Sequence, residues 1–328
     1  MTLAPIASLW GGTSRPSPAF GIVALTIVLT IAFAVQTKGV WISKDNLASV
    51  LQVTATLGIM ALGEALVITV REIDISVGST FGIGALVYLG AAQFISPWAA
   101  VAGAILAGSA IGAINGLLVT RLKVNALVAT LGTLFIFRGL CYALTEGFSF
   151  SAGDELTGSW AYAIFGGGEI FGIKNSLIWL LLIAAILHVI VFTTRSGNWL
   201  LAVGGDEPSA LSRGVRTDAV KLVAFVAAGT LAALAGVLEA SKIGFADGSF
   251  GRLQELQAIA ACVIGGCALT GGRCSIVGVV FATFMLMGIQ SVLVLNSVQP
   301  QWFMIFLGAM VIVAMVSDKA IRKWILRT

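Results

Sequence analysis

Charge is what this sequence has least of. Lys, Arg, Asp and Glu make up 10% of its 328 residues, against about a quarter in a soluble globular domain, so an ordinary water-facing surface cannot be built from it. Histidine occurs once, at His188, in an apolar run without an acidic neighbour at helical spacing, and reads as structural. The four cysteines, Cys141, Cys262, Cys267 and Cys274, show no CxxC spacing and stand in or beside apolar runs, which argues against a disulfide framework and a thiolate metal site. No G-x-x-x-x-G-K-[ST] phosphate loop, H-E-x-x-H motif or nucleophile elbow is present. ATP binding through a P-loop and membrane-enzyme chemistry are therefore disfavoured, and no catalytic residue, metal or cofactor is expected. Mid-span carboxylates are scarce, which disfavours an ion-coupled secondary transporter. The net charge of +4 comes from loop Lys and Arg and does not suggest nucleic acid.

What is there is apolar: 58% hydrophobic residues with a mean hydropathy of +1.02. Apolar runs near twenty residues recur along the chain, which predicts an all-α polytopic membrane protein. Ten spans are expected, at 20–36, 47–70, 76–95, 98–120, 126–145, 176–194, 220–240, 256–269, 276–295 and 302–316. The eighth is short and carries Gly265-Gly266, which can break it. One membrane domain, 20–317, then lies between an N-terminal tail, 1–19, and a basic C-terminal tail, 318–328. With both ends inside, 13 of the 19 Lys and Arg fall on the cytoplasmic side and 5 outside, with Arg138 within a span. That is the expected positive-inside bias. Gly112 and Gly132 align without gaps on Gly288 and Gly308, and Glu72-Ile-Asp-Ile resembles Glu255-Leu-Gln-Ala. In this topology the paired segments cross in opposite directions, as in an inverted repeat of the two halves.

The longest polar segment, 195–221, carries Arg195, Arg213, Arg216 and Lys221 between two apolar runs. Asp206 can cap a short helix there, Pro208 fits its first turn and Gly214 can close it in the left-handed conformation. A second polar run, 71–79, joins the second and third spans. Asp74 or Ser76 can cap the third span, and Gly78, Gly82 and Gly84 allow close helix approach. Glu64, inside a span, can snorkel, pair with Arg71 or face a wet path. Arg138 reads equally as a pairing or a path-lining residue. Asn115 and Asn125 bracket the fourth-to-fifth turn as caps or interhelical hydrogen bonders.

Ile73-Asp-Ile-Ser-Val-Gly-Ser79 resembles the "IDLSVGS" signature of the monosaccharide ABC-transporter permeases, the ribose/xylose/arabinose class. Thr130-Leu-Gly-Thr with Phe137-Arg-Gly139, the run 255–266 and the run 271–278 are similar to further motifs of that family. Gly204-Gly205, Ala210 and Gly214 resemble its cytoplasmic loop that docks on the ATPase. The match runs from about residue 46 to 314. It implies a sugar or polyol importer permease in the bacterial inner membrane. Its partners would be a second permease subunit, cytoplasmic P-loop ATPases, a periplasmic solute-binding protein and the lipid bilayer. A permease for autoinducer-2 or branched-chain amino acids is the alternative. The coupling loop would comprise Gly204, Gly205, Asp206, Glu207, Ala210, Leu211, Arg213, Gly214 and Val215, with Leu211 and Val215 as anchors and Arg213 at the rim. Candidate path or motif residues are Glu64, Asp74, Ser76, Ser79, Asn115, Thr130, Arg138 and Gln257. The chain departs from the pattern at Arg71-Glu72, where the family commonly has Gly-Gly, and at Glu64, Asn125, Asp206, Gln257 and Cys274.

Single cysteines at Lys44 and Lys174 should label from outside intact cells and one at Arg216 should not; outside labelling at Arg216 would refute the topology.

Overall fold

The computed structural model describes residues 18–299, 301–310 and 312–313. In chain order its main helices are α1 Pro18–Gln36, α2 Lys44–Thr69, α3 Val77–Ala91, α4 Pro97–Thr120, α5 Ala126–Thr145 and α6 Asn175–Thr193. They continue with α7 Arg195–Gly205, α8 Glu207–Ser212, α9 Thr217–Ile243, α10 Gln254–Ile264, α11 Ile276–Leu295 and α12 Gln301–Met310. An apolar helix thus stands at each expected span. Six of them (α2, α4, α5, α6, α9 and α11) are long and apolar enough to cross a membrane; the apolar parts of α1, α3, α10 and α12 are shorter. The expected tails, apart from residues 18 and 19, and most of the expected end of the tenth span lie outside the described residues.

The eighth segment is shorter than expected. α10 stops at Ile264, because Gly265 caps it and Gly266 turns the chain with φ 94°; left-handed glycine ends a helix at little cost. Small strands also interrupt the all-helical expectation. Phe150–Ser151 pairs antiparallel with Phe245–Ala246, tying two loops at one end, and Glu169–Ile170 forms a hairpin with Ile173–Lys174. Glu169 accepts a 2.9 Å ion pair from Lys174, and that hydrogen bond holds its carboxyl below its ordinary value.

α2 and α9 form the centre. Residues 54–69 of α2 are buried on every side, as an all-round apolar helix must be. α9 packs against α2, α3 and α4, α10 and α11 pack on α2, and α5 packs on α3 and α4. Between lipid-soluble helices there is no hydrophobic gain from association, so close backbone approach carries the packing. A Cβ on Gly112 would strike the Phe225 carbonyl, and one on Gly229 the Gly108 carbonyl. By contrast, Gly132 and Gly139 on α5 face open space. At one end, the fully buried Trp41 donates its Nε1–H to the Gly288 carbonyl at 3.3 Å and stands edge-on to Phe33 and Phe284. This ties the α1–α2 connection to α11.

Gly112→Val should destabilise the purified protein by at least ~1–3 kcal/mol through overpacking, whereas Gly139→Ala should leave its Tm unchanged; equal Tm values for the two would contradict this helix packing.

Candidate functional site

Two linked constellations occupy the interruption between α2 and α3. The first is a buried polar network. α2 ends with Arg71 at φ 67°, where the amide of Glu72 reaches back to the Val67 carbonyl at 3.1 Å and that of Arg71 to Ile68 at 3.0 Å. The chain then runs without helix to α3, and its freed amides need partners. Glu64 Oε1 accepts the Asp74 N–H at 3.1 Å. Thr130 Oγ1 accepts the Ile75 N–H at 3.2 Å. Asp74 Oδ1 accepts both the N–H and the hydroxyl of Ser76, at 2.9 and 2.6 Å.

Asn115 is the hub. Its Nδ2 donates to Ser76 Oγ at 2.7 Å and lies 3.3 Å from Asp74 Oδ2, while its Oδ1 accepts the Thr133 hydroxyl at 2.7 Å. It joins α3, α4 and α5 by interhelical bonds and caps nothing; the cap of α5 is Asn125, which accepts the Leu127 N–H at 3.0 Å. Ser79 donates to the Ser76 carbonyl at 2.8 Å. Glu64, Asp74, Ser76, Ser79, Asn115 and Thr130 are all buried, so five motif residues and one span carboxylate form one cluster. Thr133, the last residue of the Thr130-Leu-Gly-Thr motif, belongs to it although it was not among the candidate path residues. A threonine in an apolar span most often back-bonds its own helix, as this one also does to the Thr130 carbonyl, so its sequence position carried little signal.

Arg138 and Gln257 stand apart from this cluster. Arg138 donates to the Phe250 carbonyl at 2.6 Å and to Gly248 at 3.3 Å, which makes it a pairing residue that holds the loop before α10. Gln257 is half-buried. Glu255, the first residue of the same motif, is buried against Gly78, and its Oε2 has no hydrogen-bond partner.

The second constellation is a clasp at the other side of the 70–76 turn. Of the three readings open for Glu64, the pair with Arg71 does not form. Glu64 is wholly buried beside Asp74, while Arg71 turns outward and donates Nε to the Thr270 carbonyl at 2.7 Å and Nη2 to the Gly205 carbonyl at 2.5 Å. A left-handed conformation costs a non-glycine residue about 1–2 kcal/mol, and the two hydrogen bonds offset it. That explains how Arg can stand at a position commonly held by Gly. Gly204 packs directly on the Thr69 carbonyl, and the Gly272 N–H donates to that carbonyl at 2.9 Å. The end of α2, the α7–α8 junction and the 268–275 loop therefore touch backbone to backbone.

Lys221 closes the clasp. Its ammonium lies 2.9 Å from Glu72 and 2.8 Å from Glu207, and its side chain is only 12% exposed. One cation between two carboxylates makes each acid a partner of the other through Lys221.

Within the polar segment, α7 was not anticipated. Thr194 caps it by accepting the Gly197 N–H at 3.3 Å. α8 forms where the short helix was expected, with Pro208 in its first turn and Gly214 at φ 83° beyond its end. Two details differ. The Asp206 side chain accepts the Ser209 hydroxyl and makes no cap bond to the backbone. Val215 is buried with Ala210, so it cannot anchor a partner; Leu211 is 61% exposed and Arg213 is exposed.

Residues 46–315 match the family described as the branched-chain amino acid transport system permease component. The chain belongs to this permease family. It is 38% identical over 279 residues to an autoinducer 2 import system permease protein, LsrC, of Escherichia coli, an alignment covering 84% of this chain and 79% of that protein. It is 36% identical over 297 residues to the corresponding Salmonella typhimurium protein, covering 88% and 82%. No solved structure matches it. The permease is a transport component of an ABC importer and resides in the inner membrane.

In this permease Arg71→Ala keeps the backbone strain and loses both bonds, whereas Arg71→Gly loses the bonds but also relieves the strain. The alanine variant should be the less stable by about 1 kcal/mol, read as the difference in Tm of the purified proteins; the reverse order would refute the strain argument.

Proposed function

We propose that this permease carries autoinducer 2, or a similarly small, hydroxyl-rich, furanose-like solute, delivered by a periplasmic binding protein, and that a partner ATPase drives it through α8. The solute class rests on the likeness to autoinducer 2 import permeases along most of both chains. The mechanism rests on one observation: Lys221 ties Glu207, the first residue of α8, to Glu72 at the α2–α3 interruption. A displacement of α8 has a short, stiff route to the buried network.

In this reading α8 sits in a groove of the ATPase with Leu211 as the apolar anchor and Arg213 at the rim. Few residues carry most of the energy at such an interface. Ten crossings, with both ends cytoplasmic, are supported by the six long and four shorter apolar helices among the described residues and by the positive-inside bias. The inverted repeat gains support from Gly132 and Gly308, matched in sequence and alike in facing open space. The uncovered α5 face, which bears Gly132 and Gly139 beside exposed Val128, Phe135 and Ile136, suits the second permease subunit, since small residues let helices approach.

In cells expressing the whole transporter, labelled autoinducer 2 uptake should exceed ribose or leucine uptake; preferred leucine uptake would overturn the solute assignment. In the purified assembly, Leu211→Asp should abolish ATPase stimulation by loaded binding protein by lowering ATPase retention. Lys221→Met should retain the ATPase yet lose stimulation by about ten-fold or more, the worth of a partly buried charge pair. Normal coupling in Lys221→Met would refute the route through the clasp.

A further inference from the structure

Beside the clasp, α6, α7 and α9 leave a groove of about 550 Å³, within the range of ~300–1,000 Å³ typical of ligand pockets. Its long wall is apolar: Leu187 and Ile190 of α6, Trp199 of α7, and Val223 and Ala227 of α9 line it. Its other end is basic. Arg216 lines it directly, Arg195 precedes the lining residue Ser196, and Arg213 precedes the lining residue Gly214. All three arginines are exposed, and none forms an ion pair among the described residues.

The nearby acids are already engaged. Glu72 and Glu207 hold Lys221, Asp218 holds Lys123 at 3.0 Å, and Asp206 accepts from Ser209. Three arginines therefore face only Asp206 and the one acid that Lys221 leaves in excess, so the groove mouth keeps net positive charge next to a slot of apolar residues. A ligand that matches both ends has an anionic head and a hydrocarbon tail. Basic pockets between membrane helices bind acidic lipid headgroups for the same reason.

We propose that this groove holds one anionic phospholipid of the cytoplasmic leaflet, with an acyl chain between α6 and α9 and its phosphate at Arg216. The leaflet follows from the topology proposed above. The occupant touches Gly214, the residue that ends α8, so lipid charge bears on the position of the coupling helix.

The test uses the full-length permease in nanodiscs of equimolar phosphatidylcholine and phosphatidylglycerol, transferred to detergent and read by native mass spectrometry. The unmodified protein should retain phosphatidylglycerol in preference to phosphatidylcholine. Arg216→Gln should retain about five-fold less of it, the worth of one basic side chain at an anionic surface. Val223→Trp, which fills the slot from an exposed position, should lose it while the protein keeps its Tm. Equal retention of the two lipids, unchanged retention in Arg216→Gln and Val223→Trp, or crosslinking of Val223→Cys to another protein chain in the assembled transporter would each overturn the site. Neither solute nor ATPase enters the lipid measurement, so its failure leaves the import reading untouched.

Discussion

A turn buried inside a helical bundle frees amides and carbonyls that neither lipid nor water can reach. Here the interruption is the 70–76 turn, and much of the interior answers to it. Glu64 and Thr130 accept its amides, Asp74 folds back onto Ser76, and Asn115 with Thr133 satisfies the side chains that do so. The contributors come from α2, α3, α4 and α5, so the turn can exist only in the assembled bundle. A half-satisfied network would be worse than an apolar one, because each unpaired buried group costs about 1–3 kcal/mol. The polar residues are therefore interdependent, which is a different matter from each touching a solute.

The same turn faces the clasp on its other side. Arg71 and Glu72 bond into the clasp while the Asp74 carboxylate and the Ile75 N–H bond into the buried network, within five consecutive residues. That division gives the turn its mechanical character. Its outer half is fastened to the α7–α8 junction and to the 268–275 loop by Arg71 and Lys221, and its inner half is fastened to three helices. Helical segments on either side are stiff, so displacement concentrates where the backbone has no ladder of its own. Coupling needs a discrete element that two sites can bias, and in the proposed mechanism the turn is that element.

Parts of this were legible in the residues. The motif 73–79 and Asn115 drew attention because polar side chains are expensive in an apolar setting. The punctuation of α8 by Pro208 and Gly214 was readable because each constrains φ locally. Partners were not readable. Glu64 and Arg71 sit two turns apart on paper, yet the left-handed residue at the end of α2 swings Arg71 away from Glu64. Val215 looks like an anchor in the sequence, but α8 folds back so that its amide bonds to the Ala210 carbonyl at 3.1 Å, and the side chain turns inward. Lys221 carried no signal beyond its charge, since its acids lie 149 and 14 positions away.

Composition and run length by themselves determined that this chain lives in a bilayer and where most of its long apolar helices lie to within a few residues. Those properties are local: they depend on apolar length, on proline and glycine, and on the cost of charge in hydrocarbon. Only the tertiary structure decided which polar groups meet, that α2 and α9 are the central pair, and that α8 is tied to the turn through Lys221. Burial in lipid is nearly indifferent to which apolar face meets which, so helix partners are chosen by glycine-sized clearances and by hydrogen bonds across the bundle. Both are distances between residues far apart in the chain, and a linear pattern does not contain them.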